Sequence, residues 1–164
     1  MNNFLGRGIN RLLVGATLAA CVISLAHAQT PSFSKRKSED QVNCLEQALR
    51  RSRWQRYPGL PAEMVKIASV ASIILNNRGY PDYVYVLEDG IEWCGTAGCK
   101  LLIAEKGQDG TCHLLYDGVG DTSFTVLRHR DHGYRRIYAP CEARFDGHEY
   151  QQLHEECPNL DVHH

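Results

Sequence analysis

Beyond residue 28 this 164-residue chain has no apolar run near the roughly 20 residues that a membrane-spanning helix needs. It also lacks a Gly-x-Ser-x-Gly elbow, a Cys-x-x-Cys pair and an excess of either charge. Each absence closes a class of function. Lys plus Arg total 18 against 19 Asp plus Glu, a balance that gives no electrostatic case for a nucleic acid or an anionic membrane surface. Without the elbow, Ser69, Ser72 and Ser123 have no context that would make them nucleophiles. The carboxylate pairs Glu88-Asp89 and Glu155-Glu156 are adjacent in sequence, so their side chains point apart rather than at one substrate. The sequence therefore predicts a binding protein rather than an enzyme, with no cofactor and no metal.

What is present begins with an N-terminal export signature. Arg7 and Arg11 precede an acid-free apolar run over 12–26, which ends in Ala26-His27-Ala28 before Gln29. That order is a basic n-region, an h-region and an A-x-A cleavage site, and it predicts a signal peptide over 1–28 and a periplasmic destination. A second processing pattern overlaps it. Leu18-Ala19-Ala20-Cys21 has the form of a lipoprotein box in which Cys21 would carry a lipid anchor. The apolar residues that follow Cys21 favour ordinary cleavage after Ala28.

Cleavage there leaves 136 residues with formal charge −3, because the segment removed holds two basic residues and no acid. That length suits one domain with a modest core. Six of the seven cysteines remain, Cys44, Cys94, Cys99, Cys112, Cys141 and Cys157. An even count in an exported chain reads as a disulfide framework, with 15 connectivities open. Cys94 with Cys99 is the first pairing expected, followed by Cys112 with Cys141 and Cys44 with Cys157. A zinc reading is weaker, since the C-x4-C spacing has no matching second pair.

The pattern along the chain predicts a mainly β fold. Residues 29–39 are polar and rich in Ser and Lys, the composition of a flexible leader, which leaves 40–164 as a single domain. From Asp40 the spacing of Val42, Leu45, Ala48 and Leu49 predicts a helix, capped by Ser38 or Asp40 and ended by Tyr57-Pro58-Gly59. Leu60-Pro61-Ala62-Glu63 starts a short helical turn, and the second half of 65–75 reads as strand. Beyond it, short alternating runs separated by Gly and Asp turns recur every 8 to 12 residues. They predict an antiparallel β-meander forming a sandwich or open barrel, with the N-terminal helix packed on it.

The most distinctive stretch is Trp93-Cys94-Gly95-Thr96-Ala97-Gly98-Cys99. With Asp82-Tyr83-Val84, Leu101-Leu102, Val126-Leu127, His132-Gly133-Tyr134 and Arg144-Phe145-Asp146-Gly147 leading to Tyr150, it resembles a group of small exported proteobacterial proteins over roughly 66–150. In size, export and β-rich build that group is similar to periplasmic lysozyme inhibitors of the Hyphomicrobiales type and to immunity proteins against type VI secretion amidases. The resemblance implies a periplasmic inhibitor of peptidoglycan-degrading enzymes. The alternatives are an immunity protein against an amidase effector or a non-inhibitory protein that binds peptidoglycan. The Ser-Gly-x-x-Tyr loop of some lysozyme inhibitors is absent, so no residue role carries over from them.

Two surfaces are candidates for partner contact. One is the cysteine-clasped loop with Thr96. The other is the hairpin over 128–136, which offers Arg128, His129, His132, Tyr134, Arg135 and Arg136; Arg and Tyr are the types most often found at interface hot spots. Two metal-like patterns have simpler readings. His129-x-x-His132 with Asp131, and the terminal His163-His164, read as surface histidines. Asn76-Asn77-Arg78-Gly79-x-x-Asp82 reads as a β-turn, because Arg78 stands where a calcium loop prefers an oxygen donor.

Overall fold

The computed structural model describes residues 28–153. Residues 1–27 of the expected signal segment, Cys21 among them, and Cys157 and the terminal histidines lie outside them. Helix α1 (Glu39–Arg50) starts where its cap chemistry places it: Ser38 Oγ accepts from the Gln41 backbone N–H, and Gln41 Oε1 accepts from Ser38 N–H. Cys44, Leu45, Ala48 and Leu49 form its buried face. The chain then makes a 3-10 turn η1 (Arg53–Arg56) and helix α2 (Leu60–Ile67). Where the sequence suggested only a short turn, α2 runs to Ile67 because burial of Met64 and Val65 offsets the weak helical preference of its β-branched residues.

Nine strands follow among the described residues. In the first sheet β1 (Ala68–Ile73) pairs β2 (Asp82–Leu87), β2 pairs β4 (Gly98–Lys106), and β4 pairs β5 (Cys112–Gly120) on its far side. The two-residue β3 (Cys94–Gly95) pairs the start of β4. The second sheet runs β6 (Thr125–Asp131), β7 (Tyr134–Tyr138), β8 (Glu142–Phe145), β9 (Tyr150–Gln152) in order. All pairings are antiparallel, and the strands curl into a half-barrel. The mainly β fold with its N-terminal helix is as the sequence predicts.

Period-two alternation gives the first sheet two buried faces. Tyr83, Tyr85, Leu87, Leu102 and Ala104 belong to the core shared with the helices. Val84, Val86, Leu101 and Ile103 belong to the core shared with the second sheet. Tyrosine suits the helix side because its ring is buried while its hydroxyl finds a partner. Tyr83 donates to Asp40 Oδ2 at 2.6 Å and Tyr85 to the Gln41 carbonyl at 2.7 Å, both at the start of α1.

Strand β5 carries a bulge. Ile103 pairs Tyr116 and Ala104 pairs Leu114, so Leu115 is the extra residue, and consecutive Leu115 and Tyr116 both enter the inter-sheet core. Tyr116 then lies over Gly118, where a Cβ would sit 2.3 Å from the phenol. Gly118→Ala should therefore cost about 2 kcal/mol by displacing a packed ring. The urea midpoint measures it, and an unchanged midpoint would remove this account of the glycine.

Three expectations are corrected. Residues 29–34 are not a free leader. Gln29 exchanges backbone hydrogen bonds with Val126 and Ser34 with Val70, so the segment ties together β6 and β1, the two outer strands of their sheets. The Cys112–Cys141 pairing fails because the two residues lie on different sides of the first sheet. Cys112 belongs to the helix-side core and is bonded to Cys44 of α1, whereas Cys141 lies between β7 and β8 of the second sheet. That bond also excludes Cys44 with Cys157. Cys141 is itself disulfide-bonded.

Candidate functional site

The clasped loop is a miniature hairpin. Cys94 pairs Cys99 across the ladder and bonds to it, Gly95 pairs Gly98, and Thr96 and Ala97 form the tip. The sequence expectation for this disulfide holds. Gly98 has φ +117° and a Cβ there would meet the Gly120 carbonyl at 2.8 Å, so the close approach of β5 requires glycine. The base is fixed by the Lys100 N–H bond to the Trp93 carbonyl at 2.6 Å. Thr96 at the tip is exposed.

Beside this finger lies a cleft of about 480 Å³ walled by Trp54 and Trp93, whose ring centroids are 6.1 Å apart. Asp117 on β5 holds the wall in place. It accepts from Trp54 Nε1 at 2.9 Å and pairs with Arg53 at 2.9 Å and with Lys100. Lys100 in turn stands 5.2 Å from the Trp54 ring centre, a cation–π distance. Sequence reasoning missed Trp54, Lys100 and Asp117 as parts of one site, because they come from η1, β4 and β5 and carry no shared motif. The one local signal was a tryptophan set within an arginine-rich run.

The competing hairpin is largely committed to the fold. His132 and Gly133 adopt φ +48° and +86°, the two positive values of a tight primed turn between Asp131 and Tyr134. Tyr134 is buried and donates to Glu105 Oε1 at 2.6 Å. Arg136 is clamped by Asp131 at 2.6 Å and Glu142 at 2.6 Å, and Arg136 holds the Asp131 carboxyl below its ordinary range. Arg135 is partly buried, with its backbone bound to Leu75 and Tyr150. Tyr134 and Arg136 are thus tied into the framework of the fold. Arg128 and His129 are exposed in an irregular stretch of β6, and His132 at the tip is exposed too.

The residues resembling a calcium loop form a polar cluster between the sheets. Asn76 Oδ1 accepts from Arg78 N–H and its Nδ2 donates to Glu105 Oε1 at 2.8 Å. Glu105 also accepts from Arg78 at 2.9 Å, and Asp82 accepts from Leu75 N–H at 2.8 Å. Burial pushes the Asp82 carboxyl up to about 7, against the Leu75 hydrogen bond, with the Glu105 charge adding to the rise. Asp82 is 1% exposed, which shuts it away from any substrate. Among the described residues no three His, Cys, Asp or Glu side chains converge as a metal cage.

The candidate serines are held locally. Ser69 donates to Glu88 at 2.6 Å, Ser72 accepts from Gln41 at 3.3 Å, and Ser123 bonds Asp121. A further cleft, of about 620 Å³, lies between Arg51 and Arg53 on one side and Gln151 and Gln152 on the other. No helix among the described residues is long and apolar enough to cross a membrane. Set against protein-family models, curated proteins and solved structures, the chain finds no match in any of the three.

Proposed function

We propose that this chain is an exported, protein-binding inhibitor of a peptidoglycan-degrading enzyme that protects the cell envelope in the periplasm. The observation that carries the reading is the finger: a disulfide-braced hairpin with a two-residue tip at which Thr96 is exposed, backed by two indoles. A preorganised loop loses little entropy on docking. Enzymes that cleave glycosidic bonds work in clefts with paired carboxylates, and backbone N–H groups and cations near the finger are the donors such a cleft accepts. The export signature and the disulfides agree in pointing to an oxidising compartment. Ordinary cleavage after Ala28 remains the favoured processing over lipidation at Cys21.

The test is residual activity of a lysozyme and of a panel of secreted amidases in the presence of the purified protein. Stoichiometric inhibition of one enzyme is expected, and inhibition of an amidase rather than a lysozyme identifies an immunity role. No inhibition at tenfold or so excess sinks the proposal, since such complexes are commonly nanomolar or tighter. Replacing Cys94 and Cys99 together by alanine should weaken inhibition more than stability, because the entropy term for so short a loop is only about 2 kcal/mol.

A further inference from the structure

Residues 50–56 read Arg-Arg-Ser-Arg-Trp-Gln-Arg, placing four of the chain's 18 basic residues within seven positions and no acid among them. All four arginines are exposed. The fold gathers little countercharge around them. Glu46 stands 3.7 Å from Arg50, and Asp117 meets Arg53 while already holding Trp54 and Lys100. Arg51 and Arg56 have no ion pair among the described residues. The negative end of α1 explains cations at 50 and 51. It does not explain Arg53 and Arg56, which lie beyond that helix.

Aromatic rings fill the space between these guanidinium groups. Arg53 Cζ lies 5.3 Å from the Trp54 ring centre, Tyr57 lies 6.2 Å from Trp54 and is 56% exposed, and a notch of about 220 Å³ opens between Arg53, Trp54, Arg56 and Tyr57. Through Trp54 and Trp93 the ridge is continuous with the finger. Arg, Trp and Tyr are the residues most enriched where binding energy concentrates at protein interfaces. A carboxylate entering the notch would meet two planar forks able to bind it in bidentate fashion.

We infer that the ridge over 50–57 is a docking surface for an acidic face of a protein partner, with a partner carboxylate seated between Arg53 and Arg56 over Trp54 and Tyr57. A protein fits better than an extended polyanion on two grounds. The notch is the size of one side chain, and the rings are tilted by 50° and 60° to one another. They make no common platform on which successive bases could stack. That the partner is a peptidoglycan-degrading enzyme rests on the reading above; its acidic character rests on the ridge alone.

The experiment compares the purified chain with Arg51→Glu/Arg56→Glu and the conservative Arg51→Lys/Arg56→Lys. Binding to immobilised poly-L-glutamate, heparin and purified peptidoglycan is measured at low and high salt, together with inhibition of any enzyme found in the activity panel. Both positions are exposed and have no ion pair among the described residues, so the urea midpoints should differ only by the small helix-end effect of reversing the charge at 51, and both variants should remain folded. Expected are salt-sensitive binding to polyglutamate that exceeds binding to heparin and peptidoglycan, a loss of about tenfold or more on charge reversal, and substantial retention in the lysine pair. Polyglutamate binding equal in the wild type and the reversed variant overturns the inference, as does stronger binding to either glycan. Inhibition of an enzyme that survives charge reversal overturns the ridge and leaves the inhibitor reading standing. Polyglutamate binding lost on reversal, without inhibition of any enzyme, does the opposite.

Discussion

Cys44→Ala/Cys112→Ala is expected to lower the unfolding free energy by about 4 kcal/mol, close to twice the effect of removing the finger disulfide. The bond joins residues 68 positions apart, so opening it releases a long loop in the unfolded chain, and loop entropy grows with the logarithm of length. Its position adds a native-state reason. It pins the buried face of α1 to the first residue of β5, inside the core that also holds Leu45, Leu49 and Leu102. Denaturant unfolding of the double variant, monitored by the tryptophans in η1 and beside β3, measures the loss. A loss no larger than that of Cys94→Ala/Cys99→Ala would show that the helix is held by packing alone.

Raising the pH from about 5 to about 8 should weaken the fold by on the order of 3 kcal/mol through Asp82. Its carboxyl titrates near 7 in the folded chain against 3.8 ordinarily, so the native state holds the proton more tightly than the unfolded state. The stabilisation is therefore full below the ordinary value, declines as pH rises toward 7 and is gone above it. Burial is the main cause, since a charge at this position would be cut off from water beside Glu105. Asp82→Asn keeps an oxygen to accept the Leu75 N–H and cannot ionise. Its urea midpoint should change much less between the two pH values than that of the parent. Equal slopes in the two proteins would remove Asp82 as the cause.

These two predictions show where sequence reading stops. The capping box at Ser38 and Gln41, the turn at His132-Gly133 and the Cys94–Cys99 clasp all follow from residues within a few positions of one another. The chemistry of a cap, a primed turn or a short cross-strand bond is local. Cys44 with Cys112, by contrast, depends on which face of the first sheet α1 covers. Two cysteines in β-like segments looked equally able to pair, and only the layer order separates Cys112 from Cys141.

The same distinction governs the candidate site. Arg, His and Tyr in the 128–136 hairpin read as contact residues from composition. The fold then spends Tyr134 on Glu105 and Arg136 on Asp131 and Glu142, because the second sheet packs on the first at that end. Trp54 had no sequence context beyond its arginines, and it becomes the wall of the finger's cleft only because η1 folds back over β4 and β5.

The sequence by itself determined the strand runs, the turns, the start of α1 to within two residues and the finger, since 3.6- and 2-residue periodicity and positive-φ turn chemistry are written in neighbouring residues. Only the tertiary structure decided the long-range disulfide, the elevated proton affinity of Asp82 and which cations stay exposed. Those properties depend on which groups two sheets and a helix bring together, and that is settled by burial summed over the whole core rather than by any short run of residues.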